Sequence, residues 1–355
     1  MLPADRLRYE QVAITLGAHV ANPVLVELTR GTLIESVHRG AVAISDARGK
    51  IVFALGDIAP PVYPRSALKP IQALPLAESG AADAFGIGDE EIALACASHS
   101  GEPMHTRRVA AWLQRLGLGE RDLACGIHPV RYEPVAEEMI VRGEKPTRIH
   151  NNCSGKHTGF LTVARHWNIA TAGYERHEHP VQQAVAKTIG ELSGIADELP
   201  WGVDGCAAPN FAVSLAAFAR ALAQFGDTEN LPSERARAVR RIFQAMTKHP
   251  ELVAGTGRMC TLLMLAGHGR IAVKTGAEGV YAGIVPELKL GIALKIDDGA
   301  GRAAETAIAF LLDRMNLLDR KEARDLIYTP IRNTRDAIVG ERRPAAALAQ
   351  VPKLQ

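Results

Sequence analysis

The segment "GRIAVKTGAEGVYAGIVPELKLGIALKIDDG", residues 269–299, contains three short apolar runs separated by glycines and a proline. Runs of this length, bounded by turn residues, predict β-strands joined by short connections. The three runs are GRIAVKTG (269–276), GVYAGIVPE (279–287) and GIALKIDDG (291–299). This part of the chain is therefore expected to form three consecutive strands.

A second group of strands is predicted near the other end of the chain. Its runs are VLVELTR (24–30), AVAISD (41–46) and KIVFALG (50–56). Asp46-Ala47-Arg48-Gly49 has turn composition, so the last two runs are expected to form a hairpin.

The region between the two groups has helical periodicity. HTRRVAAWLQRLG (105–117) places apolar residues at helix spacing and ends at a glycine. Similar patterns follow in HPVQQAVAKTIGEL, FAVSLAAFARALAQFG and SERARAVRRIFQAMTKH, and GRAAETAIAFLLDRMNLL comes after the last strand.

The order of strands, helices, strands and helix predicts an α+β fold. Strands from both chain ends are expected to meet in one antiparallel sheet, with the helical middle packed on it. We predict a single domain over residues 1–355. Its sheet comes from about 20–56 and 269–299, its helical region is about 64–265, and a C-terminal helix covers about 300–317. The tail from about residue 327 is predicted to be a loop with one short extended piece.

Composition excludes several classes of function. The formal charge is +2, aromatic residues are few, and no basic run is interleaved with aromatics, so nucleic acid is not an expected partner. No stretch reaches the roughly 18 apolar residues of a membrane span. The segment MLPADRLRYEQVAITLG lacks the apolar core of a secretory signal. Five widely spaced cysteines do not suggest a disulfide framework. A cytoplasmic enzyme is therefore expected.

Ser66-Ala67-Leu68-Lys69 has the S-x-x-K spacing. If Ser66 begins a helix, Lys69 lies almost one turn further on the same face, where a neutral amine could take the serine proton. The alternative is that Ser66 only caps the helix SALKPIQALPL, and for this tetrapeptide alone capping is the favoured interpretation.

Lys274-Thr275-Gly276 ends a predicted strand, and S-x-x-K with K-T-G belongs to the motif set of penicillin-interacting serine enzymes. The third member, S-D-N, is missing. Ser98, after the apolar run IALACA, could supply a second hydroxyl with Lys274 as its partner. Alternatively, Lys274 is a solvated edge-strand lysine and Ser98 starts a turn.

HNNCSGKHTGF (150–160) is dense in reactive side chains. It is not a P-loop, because His150 stands where Walker A requires a glycine. Metal binding is possible through Cys153 with Lys156 or His157, and Cys206 could add a thiolate. The alternative for Cys206 is a small buried thiol.

Taken in order, the motifs are PRSALKP, CASHSGE, HNNCSGKHTGFL, DGCAAPNF, AGTGRMC and KTGAEGVYAG. Together they resemble the bacterial class 3 L-asparaginases, the Rhizobium-type asparaginase II family. The resemblance extends from VLVELTRG to the IDDGAGRA helix.

This resemblance implies a fold similar to serine β-lactamases and penicillin-binding proteins, a homodimer, and hydrolysis of L-asparagine to L-aspartate and ammonia. It implies two catalytic pairs, Ser66 with Lys69 and Ser98 with Lys274. It implies a zinc ion held by Cys153, Lys156 and Cys206. It implies that the substrate site is lined by Arg65, His99, Asn152, His157 and Asp204.

Three further expectations follow from the chemistry. A zwitterionic substrate needs a cation for its carboxylate, for which Arg65 or a nearby lysine is suited, and an anion for its ammonium, for which Asp204 is suited. Ser66 is favoured as the nucleophile over Ser98 because its lysine is fixed on the same helix. The zinc ion is expected to position the substrate rather than to activate water. The alternatives are a penicillin-binding or β-lactamase-like acyl enzyme and a non-catalytic amino-acid-binding protein.

Overall fold

The structure is a computed structural model that describes residues 21–353, so the N-terminal segment evaluated as a signal lies outside the described residues. The strands are β1 Val24–Arg30, β2 Leu33–Asp46, β3 Ile51–Leu55, β4 Pro61–Val62, β5 Trp201–Val203, β6 Pro209–Phe211, β7 Val213–Ser214, β8 Ala272–Thr275, β9 Val280–Val285, β10 Leu290–Ile296, β11 Thr329–Arg332 and β12 Ile338–Pro344. The helices are α1 Lys69–Gln72, α2 Leu74–Glu78, α3 Ala81–Ala84, α4 Asp89–Ala95, α5 Pro103–Arg115, α6 Glu133–Val141, α7 Ser154–His166, α8 Pro180–Ser193, α9 Leu215–Ala223, α10 Ser233–Lys248, α11 Pro250–Val253, α12 Met259–Ala266, α13 Gly301–Arg314 and α14 Arg320–Ile327. Short 3-10 segments are Arg65–Leu68, Glu120–Asp122, Arg148–His150, Pro286–Leu288 and Ala346–Gln350.

Strands from both ends of the chain form one antiparallel sheet, in the order β11-β12-β1-β2-β10-β9-β8 with β3 paired to β2. The central pairing joins β2 to β10, so the N-terminal and C-terminal strand groups meet in the middle of the sheet. The predicted hairpin of β2 and β3 is present. The α+β prediction with a sheet from both chain ends is confirmed.

β2 is 14 residues long and connects two parts of the sheet. Its first half pairs with β1 and its second half with β10. Gly40 lies where the pairing changes, and a Cβ there would lie 2.3 Å from the carbonyl oxygen of Lys295. A side chain at this position would push the two strands apart.

Helices cover both faces of the central strands. Gly291 on β10 faces α9, where a Cβ would meet the carbonyl oxygen of Ala219 at 2.1 Å. On the opposite face, Gly283 of β9 lies beside Ile292 of β10 and Ile308 of α13. Because neighbouring residues of a strand point to opposite faces, α9 and α13 sandwich the sheet. This explains why β9 and β10 are almost continuously apolar.

The C-terminal tail is more regular than predicted. It contains two strands, β11 and β12, and β12 pairs with β1 in the main sheet. The prediction of a loop with one short extended piece was wrong because β11, at the edge of the sheet, and β12, beside it, are half-exposed strands. Their sequences, TPIR and IVGERRP, are largely polar and show little apolar alternation.

Two predictions for the middle region also need correction. The segment called wholly helical contains the hairpin of β5 and β6 and the short strand β7, which pairs with β4. The helix expected from Ser66 is broken into a 3-10 turn and the short helices α1 and α2. Pro64 occupies the N-cap position and no side chain makes a capping bond, so the capping interpretation of Ser66 was wrong.

Buried apolar residues form one connected core from Leu25 to Val351, which includes the sheet, the middle helices and the C-terminal tail. All five cysteines are buried and unpaired by disulfides. Within residues 21–353, no helix combines the length and apolar character that a membrane span requires. The single-domain organisation stays a prediction, which thermal unfolding can test.

Candidate functional site

The segment after α4 carries Ser98 into the protein interior. The Ser98 amide donates to the carbonyl oxygen of Val253 at 2.9 Å, and the next amide, of His99, donates to that of Asn152 at 3.2 Å. These bonds tie the segment to the loops that precede α12 and α7. Ser98 is almost fully buried.

Two lysines converge on the Ser98 hydroxyl. Lys69 Nζ lies 3.0 Å from Ser98 Oγ, and Lys274 Nζ lies 2.8 Å from the same atom. Both lysines are buried, at 1% exposure each, and they come from α1 and from β8. The sequence analysis paired Lys69 with Ser66 and Lys274 with Ser98, and in the structure the amines of both lysines lie on Ser98.

Lys69 has a complete set of acceptors. Besides Ser98 Oγ, its Nζ donates to the carbonyl oxygen of Ala97 and reaches that of Asn152 at 3.5 Å. Three oxygens match the three donors of a lysine ammonium. Lys69 therefore acts here as a cation that donates a hydrogen bond to Ser98.

Lys274 is the second lysine whose amine lies on the Ser98 hydroxyl. Burial, and then the charge of Lys69, lower the pKa of Lys274 to about 7. Its Nζ also donates to the carbonyl oxygen of Thr275 at 2.9 Å. A neutral Lys274 amine has a lone pair that can accept the Ser98 proton. Two hydrogen bonds can therefore follow one another in the same direction, with Lys69 donating to Ser98 and Ser98 donating to Lys274.

Ser66 lies on the 3-10 segment Arg65–Leu68, directly before α1, and is half-buried. Among the described residues its hydroxyl has no hydrogen-bond partner. Gly276, the glycine after Thr275, packs on this segment, and a Cβ there would lie 2.3 Å from the Pro64 carbonyl oxygen. The end of β8 and the Ser66 turn are therefore in direct contact.

Arg65 and Asp204 form an ion pair beside Ser66. Arg65 Nε and Nη2 donate to Asp204 Oδ1 at 3.2 and 2.8 Å, and the Gly205 amide donates to the same oxygen. Despite burial, these bonds hold the pKa of Asp204 below its ordinary value. Asp204 Oδ2 and Arg65 Nη1 have no hydrogen bond among the described residues, so each has capacity left for a ligand.

Cys153, Lys156 and Cys206 also lie together and are buried. Lys156 Nζ is 3.1 Å from Cys206 Sγ. A hydrogen bond from Cys153 holds the pKa of Cys206 well below its ordinary value. Burial opposes a charge on Lys156, but the two cysteine sulfurs raise its pKa overall.

This donor set fits zinc in chemical type, since zinc accepts thiolate and nitrogen ligands. Within residues 21–353, no three His, Cys, Asp or Glu side chains cluster as a metal site. A metal at this position would therefore use the lysine, and binding would have to displace the Lys156 proton. Zinc stays a prediction.

His99 is held by the protein through both ring nitrogens. The Gly101 amide donates to Nδ1 at 3.2 Å, so Nε2 carries the proton and donates to Ser154 Oγ at 2.9 Å. The Ser154 hydroxyl in turn donates a hydrogen bond to the carbonyl oxygen of Ile149. Burial lowers the pKa of His99, which keeps the ring neutral. These bonds give His99 a structural function beside Ser98, and its predicted substrate contact stays a prediction.

His157 contacts a residue that sequence reasoning missed. Its Nδ1 lies 2.6 Å from the Tyr174 hydroxyl, which also accepts the Ala124 amide. Burial lowers the pKa of His157 to about 3, and Nε2 is buried without a partner. Tyr174 stands in no motif, so no sequence signal pointed to it.

A second missed contact fixes the Ser98 segment. Buried Glu102 accepts the Thr256 amide at 2.9 Å and the Thr256 hydroxyl at 2.6 Å, and it also accepts the Ser100 hydroxyl. Thr256 belongs to the motif AGTGRMC. It ties the segment after α4 to the loop before α12.

The family model described as L-asparaginase II matches residues 26–344. A comparison with curated protein sequences finds no match.

Among solved structures, the chain is similar to a putative beta-lactamase from Bacteroides dorei DSM 17855, with 13% identity, 72% of this chain and 84% of that chain covered, and a TM-score of 0.42. It is also similar to a beta-lactamase from Mycobacterium bovis, with 15% identity, 75% and 89% coverage and a TM-score of 0.37. A structure of Mglu in its native form has 14% identity, 84% and 70% coverage and a TM-score of 0.46. Beta-lactamases are thus found among the similar structures, as the resemblance implied, but these TM-scores are too low to carry an argument.

Proposed function

We propose, because this chain belongs to the L-asparaginase II family, that it hydrolyses the side-chain amide of L-asparagine to L-aspartate and ammonia. The family supports an amidohydrolase of the asparaginase type. The observation that carries the mechanism is the hydroxyl of Ser98 held between the amines of Lys69 and Lys274. Amide hydrolysis needs a nucleophile and a group that moves its proton, and this cluster offers both.

Ser66 is the proposed nucleophile because it is half-buried and therefore accessible, whereas Ser98 is almost fully buried. Lys69, three residues further along, is the proposed base, and its amine, which contacts Ser98 in this structure, would turn towards Ser66 to take the proton. To act as a base, Lys69 must first lose a proton, and Ser98 with neutral Lys274 provides the path. Lys69 donates to Ser98 as Ser98 donates to Lys274, and Lys69 becomes neutral.

The reaction then has two halves. The Ser66 oxygen bonds to the amide carbon while its proton passes to Lys69, and the C–N bond breaks as Lys69 returns the proton to the departing ammonia. An aspartyl ester on Ser66 remains. A water molecule attacks this ester by the reverse proton path, which releases L-aspartate and restores the Ser66 hydroxyl.

The proposed recognition of the zwitterion uses the remaining capacity of the Arg65–Asp204 pair. Arg65 Nη1 would donate to the α-carboxylate, and Asp204 Oδ2 would accept from the α-ammonium. Both atoms have no hydrogen bond among the described residues, while Nη2 and Oδ1 hold the pair rigid. A preformed pair avoids the cost of ordering two long side chains when substrate binds.

We propose that Cys153, Lys156 and Cys206 hold zinc. When bound, zinc would supply a fixed positive charge that positions a substrate oxygen. The chain's own residues prepare this position by keeping Cys206 as a thiolate and excluding water from the three donors. A homodimer is also part of the proposal and rests on the family resemblance alone.

A steady-state ammonia assay tests the function. Purified wild type should release ammonia from L-asparagine and should not turn over nitrocefin. Zinc measured on the same protein should be stoichiometric in the wild type and lost in Cys206→Ala. Absence of ammonia release would overturn the enzymatic proposal and favour a binding protein, whereas rapid nitrocefin turnover would favour a penicillin-type acyl enzyme. Wild type without zinc would overturn the metal proposal.

A further inference from the structure

A cavity lies in the part of the main sheet that is far from β8. It is lined by the strands β1, β2, β11 and β12 and by the first turn of α13. Its volume is about 400 Å³. A water molecule occupies only ~30 Å³ in the liquid, so the space is that of a small molecule. Three arginines line it, Arg30 from β1, Arg302 from α13 and Arg342 from β12.

The positive charges in this cavity exceed the negative ones. Glu35 pairs with Arg30 at 2.7 Å. Glu305 lies just below the cavity and comes only to 4.0 Å from Arg342. Three guanidinium groups thus face two carboxylates. Burial also raises the pKa of Glu305, which weakens its contribution as a counter-charge.

Two of the arginines have unused donors. The Arg302 side chain makes no hydrogen bond or ion pair among the described residues. Arg342 donates through Nη2 to Thr329 Oγ1 at 3.0 Å, but its Nε is buried and has no partner. In the described part of the chain, nothing pairs with the Arg342 Nε, and Arg302 is exposed without a partner, so the positive charge of both side chains is incompletely compensated beside the cavity.

We propose that this cavity binds a small oxyanion, a phosphate or a carboxylate, through Arg302 and Arg342. The planar fork of an arginine matches the oxygen geometry of both groups. Thr329 Oγ1 already orients Arg342, and Arg30 is held at the rim by Glu35. The site is separate from the proposed asparagine site, whose lysine lies on β8 at the other edge of the sheet.

The test measures thermal stability and binding heat for the full chain in sodium phosphate, in sodium succinate and in sodium chloride, at equal ionic strength. The variants are Arg302→Ala and Arg342→Gln, with Arg335→Ala as the matched control. Arg335 is an exposed arginine on the turn between β11 and β12, and its replacement by alanine removes the same charge outside the cavity.

Phosphate or succinate should raise the melting temperature of the wild type and of Arg335→Ala above that in chloride. Loss of one charge-assisted contact should weaken the apparent binding by about tenfold in Arg302→Ala. The anion that binds more tightly identifies the ligand class. Because Arg302 is exposed, its variant is expected to fold even if Arg342→Gln does not. Equal stabilisation of the wild type and Arg302→Ala, or no stabilisation of the wild type by either anion, would overturn the proposal.

Discussion

At the scale of single residues, the contrast between Ser66 and Ser98 decides how the site is understood. Ser98 has two lysine partners but almost no exposure, and Ser66 has exposure but no hydrogen-bond partner. Neither serine alone satisfies both needs of a nucleophile, which are access and activation. Dividing the needs between two hydroxyls accounts for the presence of both.

The first prediction separates the two serines. Acid quench of wild-type turnover, followed by peptide mass spectrometry, should locate the aspartyl ester on Ser66. Ser66→Ala should lower kcat by on the order of 10³-fold or more. Ser98→Ala should lower it by about 10²-fold, because it removes only a proton path. Ser233→Ala, an exposed serine on α10, is the control. An ester found on Ser98 would contradict the assignment.

The second prediction concerns Lys274, whose pKa is lowered by burial to about 7. The proton path requires the neutral amine, which is present above this pH. The kcat/KM for asparagine should therefore rise as pH increases through about 7 and then level off. Lys274→Met should abolish most activity at every pH, while exposed Lys187→Met on α8 should leave the profile unchanged. A wild-type profile that is flat between pH 6 and 8 would show that Lys274 does not accept the proton.

At the scale of elements, the sequence predicted β8, which carries Lys274, but not the hairpin of β5 and β6. β8 was predictable because IAVKTG is an apolar run that ends at a turn. β5 and β6 are only three residues each and carry no period long enough to detect. Their turn nevertheless presents Asp204 and Cys206, so these residues were identified by motif resemblance and not by predicted structure.

The third prediction tests the contact between β8 and the Ser66 turn. Gly276→Ala would place a Cβ 2.3 Å from the Pro64 backbone oxygen, which cannot be relieved by a side-chain rotation. The strand must shift, and displacement of Lys274 relative to Ser66 should lower kcat/KM by about 10- to 100-fold. Gly126→Ala, where a Cβ meets nothing within 4 Å, is the matched control. Full activity in Gly276→Ala would mean that catalysis tolerates a wider separation between β8 and the Ser66 turn.

At the scale of the whole molecule, the joining of both chain ends in one sheet was predictable from strand order. The buried strands β9 and β10 are almost continuously apolar, so their position inside the sheet follows from composition. The contribution of the C-terminal tail was not predictable. β12 joins β1 through backbone bonds while Arg342 and Arg343 remain half-exposed, and backbone pairing leaves no mark in an apolar pattern.

The fourth prediction follows from the connected core and tests the single domain. Leu348 in the tail and Leu161 on α7 are both fully buried in that core, although they lie far apart in sequence. Thermal unfolding, followed by circular dichroism and calorimetry, should therefore show one transition. Leu348→Ala and Leu161→Ala should each lower the free energy of unfolding by about 2–5 kcal/mol within that transition. Leu33→Ala, at an exposed position, should change it by less than about 0.5 kcal/mol. If Leu348→Ala shifted only one of two resolved transitions, the tail and sheet would unfold apart from the helices, and the single-domain prediction would be wrong.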